Sequence, residues 1–260
     1  MAYNILFYFT DQQRWDTCGC FGQPLDITPR LDELAGQGVK FDNAFSPQPV
    51  CGPCRALFQT GRYPTETGCF RNNIMLPKGV KTLADYIEEA GYETAYIGKW
   101  HLDGSEKNFR RMPVSGAENW DAYTPPGERR HHIDYWLSYG AMDNHLSPHY
   151  WQDTAEKIEP GKWSVEYETD KAIEFMENQK GDRPFSLFLS WNPPHPPYDK
   201  APDRYLKYYS GDGLPYRANV PKEWRGDPEY EKKRREYFAA VSGLDDNFGR
   251  IIKYLKESGL

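Results

Sequence analysis

Five consecutive residues, Cys51-Gly52-Pro53-Cys54-Arg55, combine two thiols, a proline and a guanidinium, with Thr60-Gly61-Arg62 close behind. Two chemistries fit that spacing. As C-x-x-C the pair is a dithiol, its first thiol acidified if a helix begins there. As C-x-P-x-R it places Arg55 one helical turn from Cys51, provided the helix starts near Pro53, a pattern whose meaning depends on the segments around it. Three more segments carry reactive side chains: Thr10-Asp11-Gln12-Gln13-Arg14, Gly98-Lys99-Trp100-His101 and Pro194-His195-Pro196-Pro197-Tyr198. Each has a plainer reading as well. Asp11 suits a loop cap, Lys99 and His101 suit a surface, and the prolines around His195 suit a fixed turn.

The elements that must position these groups alternate between strand and helix. Asn4 to Thr10 is an apolar, aromatic run of strand length that ends at Asp11. Thr28-Pro29 predicts an N-cap and first helical position, with Leu31 and Leu34 inward and Gly36 or Gly38 at the end. A short strand is expected around Val39 to Phe41. Thr82 caps a second helix that closes at Gly91, with Leu83, Ile87 and Ala90 on one face. Thr94 to Ile97 is a buried strand running toward Lys99 and His101. A helix opens at Ser164 with Ala172, Ile173 and Met176 inward and Gly181 at its end. Phe185 to Trp191 is the next strand and leads to His195. Tyr237, Val241, Leu244, Phe248, Ile251 and Leu255 mark a long amphipathic helix behind the charge run Glu229 to Arg235. The pattern predicts an α/β fold, a mainly parallel sheet sandwiched by helices. Ligands in such folds bind beyond the carboxyl ends of the strands, and that is where Asp11, Lys99, His101 and His195 fall.

Residues 104–163 read differently. They hold four of the eight tryptophans and four of the six histidines, with little periodicity, and suggest a loop-rich insertion. Trp120, His131, His132, Tyr135, Trp136 and His149 are candidates either for a substrate pocket or for a small aromatic core. Arg129-Arg130 suits an acidic ligand or plain solvation.

Composition narrows the class. With 32 Lys plus Arg against 38 Asp plus Glu, the 260 residues carry a net charge of −6, which argues against nucleic-acid binding. At 27% charged and 38% hydrophobic the chain is not of disordered type. No apolar run reaches the roughly 18 residues of a membrane helix, and no signal-peptide pattern opens the sequence. The expectation is a cytoplasmic protein, or one from which a signal was removed. Five cysteines do not suit a disulfide scaffold. Cys18 and Cys20 with Cys51 and Cys54 make a weak zinc pattern; Cys18, Cys20 and Cys69 suit buried free thiols better.

Taken together, Cys51-x-Pro53-x-Arg55 with Thr60-Gly61-Arg62, the Asp11-Gln12 segment, Lys99 with His101, and His195 resemble the sulfatase family of the alkaline-phosphatase-like superfamily. The likeness runs in order over essentially all 260 residues. It implies that Cys51 is oxidised to formylglycine by a maturation enzyme and that the hydrated aldehyde is the nucleophile. It implies catalytic roles for Cys51, Arg55, Lys99, His101 and His195, and a metal site at Asp11, Gln12 and Cys51. Hard oxygen donors there suit Ca²⁺ or Mg²⁺. Many members have Asp where Gln12 stands, and Ser is common where Cys54 stands, so a Cys51–Cys54 disulfide would compete with maturation. Further family ligands lie after the long helix, so the resemblance implies one catalytic region over 1–260, truncated before a C-terminal subdomain and inactive alone. The implied reaction is hydrolysis of a sulfated sugar or aryl sulfate. A phosphonate or phosphodiester hydrolase of the same superfamily and a C-x-x-C redox protein remain the alternatives.

Overall fold

The computed structural model describes residues 2–103, 121–179, 183–211 and 214–260. Four strands form one parallel sheet: β1 (Ile5–Thr10), β2 (Glu93–Lys99), β3 (Tyr135–Tyr139) and β4 (Phe185–Trp191), in the order β1-β4-β2-β3. Helices α1 (Pro29–Gln37), α2 (Cys51–Thr60), α3 (Pro64–Thr67), α4 (Leu83–Glu89), α5 (Ser164–Glu177), α6 (Asp203–Leu206) and α7 (Pro228–Ser258) surround it.

Strand side chains alternate between two faces, and each face has its own core. Ala95, Ile97, Leu187 and Leu189 pack with α5 and α7 on one side. Tyr96, Trp136 and Phe188 pack with Ala56 of α2 and Ala84 of α4 on the other. Both faces of β4 are buried along its whole length, as expected of a central parallel strand. The expected sheet sandwiched by helices is therefore present.

Two local features set the site. Gly98 has φ +105°, and a Cβ there would lie 2.1 Å from the Ser190 carbonyl oxygen. Only glycine permits that close approach of β2 to β4 just before Lys99. Helix α2 starts at Cys51 itself rather than near Pro53. The Gly52 N–H, unpaired within the helix, donates to Asn72 Oδ1 at 2.7 Å, and Gly61 at φ +65° closes the helix. Cys51 and Arg55 then share one helix face.

Several expectations change. Val39 and Phe41 form no strand; both are largely exposed, and no described strand pairs with them. Thr28 precedes α1 but does not cap it. Its hydroxyl is engaged with Asp32 and Gly19, and Asp245 of α7 instead accepts from the Arg30 and Leu31 N–H groups, each at 2.9 Å. Thr82 caps α4 as predicted, in a reciprocal pair with Asp85. Helix α5 ends at Glu177, and Gly181 lies outside the described residues. The 104–163 region is not all loop: β3 is the sheet's fourth strand, and Ser138 bridges to Trp151 beside it. Arg234, inside the expected exposed charge run, is buried. Among the described residues no helix is long and apolar enough to cross a membrane.

Candidate active site

The sheet's carboxyl edge gathers residues from three strand ends and one helix start. Asp11 follows β1, Lys99 closes β2, Asn192 and His195 follow β4, and Cys51 opens α2. Asp11 is the hub. Its Oδ2 accepts from Arg55 Nη2 at 2.9 Å and Lys99 Nζ at 2.8 Å, and its Oδ1 accepts from the Cys51 thiol at 3.5 Å. Lys99 Nζ also donates to Asn192 Oδ1 at 2.9 Å and lies 3.9 Å from Cys51 Sγ. Arg55 is tied further, through Nη1, to the Lys99 carbonyl at 2.5 Å and Ser190 Oγ at 2.7 Å.

Burial alone would raise the Asp11 pKa, but the Arg55 and Lys99 charges outweigh it and hold the carboxyl well below the usual range. Two buried cations on one carboxylate leave a local positive excess suited to an anion.

His195 and His101 line the cavity beside this network. His195 Nδ1 lies 3.3 Å from Asp143 Oδ1, and His145 Nε2 donates to the His195 carbonyl at 2.9 Å. Burial opposes protonation of His195, yet Asp143 and the neighbouring Cys51 push its pKa up to about 9. His101 moves the other way: burial first, then Lys99 and Arg55, push it down to about 3. Its ring is neutral at physiological pH. If Nε2, 3.1 Å from Asn73 Oδ1, carries the proton, Nδ1 is a buried lone-pair nitrogen without a partner among the described residues. His101 has φ +55°, and this turn places it on the cavity with Lys99.

Gln12 sits beside Asp11 with φ +66° and is exposed; its carbonyl accepts from Tyr237 of α7 at 2.9 Å. No described residue hydrogen-bonds its side-chain amide. Asp11 Oδ1, free of cationic partners, and the Gln12 amide oxygen are hard donors of the kind a calcium or magnesium ion takes. They fit one side of an oxygen cage of roughly six to eight ligands. Donor atoms of Asp11, Cys51 and His195 also lie within 4.8 Å of one another.

Cys51 stands between two cavities. One, of about 670 Å³, is lined by Lys99, His101 and His195 on its near wall and by Asp121, His149 and Lys157 on its far wall. The other, of about 600 Å³, is lined by Asp11, Gln12, Arg55 and apolar residues including Phe9 and Phe58.

All seven sequence-predicted site residues, Asp11, Gln12, Cys51, Arg55, Lys99, His101 and His195, line one or both of these cavities. Asn192, Asp143, Ser190 and Asn73 were not anticipated. Of these only Asn192 had a signal, its place directly after β4. The four cysteines of the zinc pattern do not converge among the described residues. Cys51 faces Asp11 whereas Cys54 accepts from Ser46 Oγ at 3.6 Å, and both are free thiols. Cys18 and Cys69 are buried as expected, whereas Cys20 is half-buried. Of the insertion's aromatic and histidine candidates only His149 lines the cavity. Trp136 belongs to the core on one face of the sheet, Tyr135 packs against the core on the other, and Trp120 lies outside the described residues. His131 is buried, and His132 pairs with Asp85 away from the cavity. Arg129 and Arg130 pair with Asp103 and Asp153.

Fold and site together define an α/β protein with a buried cluster of charged residues, Asp11, Arg55 and Lys99, at the carboxyl edge of its sheet. The Sulfatase family profile matches residues 3–260, and the chain belongs to the sulfatase family, with its alkaline-phosphatase-like fold. It is similar to the ulvan-active sulfatase of Formosa agariphila, 37% identical over 263 residues, covering 99% of this chain and 48% of that protein. The endo-4-O-sulfatase of Bacteroides thetaiotaomicron is 33% identical over 289 residues, with 99% and 56% covered. Among solved structures, yidJ of Bacteroides fragilis, a protein assigned to the sulfatases, superposes with TM-score 0.89 at 36% identity over 99% of this chain and 59% of that one. The chain spans about half the length of the curated relatives it matches.

Proposed function

We propose that this chain carries the nucleophile and sulfate-binding half of a sulfuric-ester hydrolase, acting on an O-sulfated sugar after Cys51 has been matured to formylglycine. The observation that carries the reading is the setting of Cys51 in a sulfatase-family chain: its sulfur lies against Asp11 and Lys99 at the mouth of a polar cavity. Relatives named for ulvan and for a 4-O position favour a glycan over an aryl ester.

When formed, the hydrated aldehyde at Cys51 supplies one hydroxyl to attack sulfur and a second whose loss of a proton releases sulfate. Lys99 neutralises charge on the sulfuryl oxygens, fixed in place by Asp11 and Asn192 before substrate arrives. His195, protonated at neutral pH through Asp143, donates a proton to the departing sugar oxygen. His101, neutral and lining the cavity beside Lys99, takes the proton in the release step. Arg55 fixes Asp11, and Asp11 with Gln12 would hold a Ca²⁺ or Mg²⁺ ion. Such an ion would add positive charge beside the reacting group. A formylglycine-generating enzyme is the implied partner in maturation.

The complete protein, made with that maturation enzyme, is assayed on an O-sulfated sugar, an aryl sulfate and a phosphate diester. The sulfated sugar is expected to give the highest kcat/KM. Preference for the diester would overturn the assignment in favour of a phosphodiester or phosphonate hydrolase.

A further inference from the structure

The far wall of the 670 Å³ cavity has no place in the chemistry above, yet it is built with care. Asp121 and His149 form a pair there. A carboxylate only accepts, so His149 Nε2 is the donor to Asp121 Oδ2, at 2.5 Å. Asp121 Oδ1 accepts from the N–H of Gly140, the residue after β3, at 2.9 Å. The pair is thus tied to the sheet.

His149 packs edge-on against Trp151, ring centres 4.9 Å apart. Trp151 is fully buried and exchanges backbone hydrogen bonds with Ser138 of β3 at 2.8 and 3.0 Å. Lys157 follows on the same segment, its ammonium 5.6 Å from the centre of the Trp151 ring, and no described carboxylate pairs with it. A histidine and a carboxylate tied to β3, and a lysine beside Trp151, therefore line the same cavity of ordinary ligand size as Cys51.

Each group retains unused bonding capacity. With Nε2–H committed to Asp121, His149 Nδ1 is left for a ligand, as an acceptor in the neutral ring, and no described residue occupies it. Asp121 has further lone pairs. Such a pair suits hydroxyl groups, which both donate and accept. Lys157 suits an anion. We infer that this wall is a saccharide subsite in which Asp121 and His149 bind hydroxyls of the ring bearing the scissile sulfate, and Lys157 binds a second anionic group of the same saccharide. The inference rests on the sulfatase reading and adds the substrate class, a glycan carrying a further carboxylate or sulfate.

The complete matured protein is tested by steady-state kinetics on 4-nitrophenyl sulfate, a neutral sulfated disaccharide, a uronate-containing sulfated disaccharide and a disulfated disaccharide. His149→Ala should lower kcat/KM on all three saccharides by about 10–100-fold, far more than on the aryl sulfate. Lys157→Ala should lower it about tenfold, and only on the substrates with a second anion; which of the two falls further tells carboxylate from sulfate. Equal losses on aryl and saccharide sulfates, or no loss, would overturn the subsite. Binding of the same disaccharides to Cys51→Ser protein, measured by calorimetry, needs no turnover. Saccharide binding that His149→Ala abolishes, in a protein inert to every sulfate ester, would sink the sulfatase reading and leave the subsite standing. Undiminished binding in His149→Ala and Lys157→Ala would sink the subsite alone.

Discussion

Two carboxylates stand in the two cavities that share Cys51, and their side chains are almost equally buried, Asp11 at 10% exposure and Asp121 at 14%. Asp11 backs the near wall and holds two buried cations, Arg55 and Lys99. Asp121 stands in the far wall and holds one imidazole and one backbone N–H. The near wall is assembled from four chain-distant elements at the sheet's edge, whereas the far wall comes from the two stretches that flank β3, Asp121 before it and His149 with Lys157 after it. The contrast shows that burial alone does not set what a carboxylate does. Its partners decide whether it is an electrostatic keystone or a recognition group.

The largest expected effect is on stability. Asp11→Asn leaves Arg55 and Lys99 buried without their counter-charge and should cost about 3–5 kcal/mol. Asp121→Asn keeps an oxygen for the Gly140 N–H, and the imidazole can change tautomer, so about 1 kcal/mol or less should be lost. Urea unfolding of both variants measures the difference, and equal losses would break the distinction between the walls. Next comes rate. Lys99→Ala should lower kcat on any sulfate ester by about 10²–10³-fold. The corresponding change at Lys157 should appear chiefly in KM, and a kcat loss of the same size there would merge the two walls into one catalytic site.

A pH slope tests the comparison from behind. Glu168 is fully buried beneath the β2–β4 approach, accepts from Tyr150 OH at 2.7 Å, and has its pKa pushed by burial up to about 8. A native carboxyl that keeps its proton while the unfolded one releases it contributes stability at low pH. That contribution is fully present below the ordinary value near 4.5 and is lost as pH rises through about 8. Glu168→Gln should flatten the decline in Tm between pH 5 and pH 8; an unchanged slope would show that Glu168 ionises freely in the folded protein.

The near wall was legible in the sequence because its chemistry is carried by rare residue combinations placed where strands end. Asp11 follows an apolar run, Lys99 closes another, and Cys51-x-Pro53-x-Arg55 opens a helix. The sheet and its helices were legible for the same reason, since β1, β2, β4, α5 and α7 each bury a long apolar pattern. Of the far wall only His149 was, as one of several candidates for a pocket or an aromatic core. Strand β3 is five residues long and lies in an aromatic-rich stretch, where strand and loop look alike. Asp121, Asp143 and Asn73 acquire their meaning from partners that pattern does not reveal. The α1 cap illustrates the limit: Asp245 reaches Arg30 from 215 residues away, while the local candidate, Thr28, turns elsewhere. Val39 and Phe41 carry strand-forming side chains, but a strand also needs a neighbour to pair with, and none of the described strands provides one.

The central claim is that Cys51 is the reacting position. Mass spectrometry of the tryptic peptide Phe41–Arg55, from protein produced with a formylglycine-generating enzyme and active on a sulfated sugar, tests it most directly. The account predicts an aldehyde at Cys51, trapped by a hydrazide reagent. An unmodified thiol at Cys51 in protein that hydrolyses the ester would contradict it.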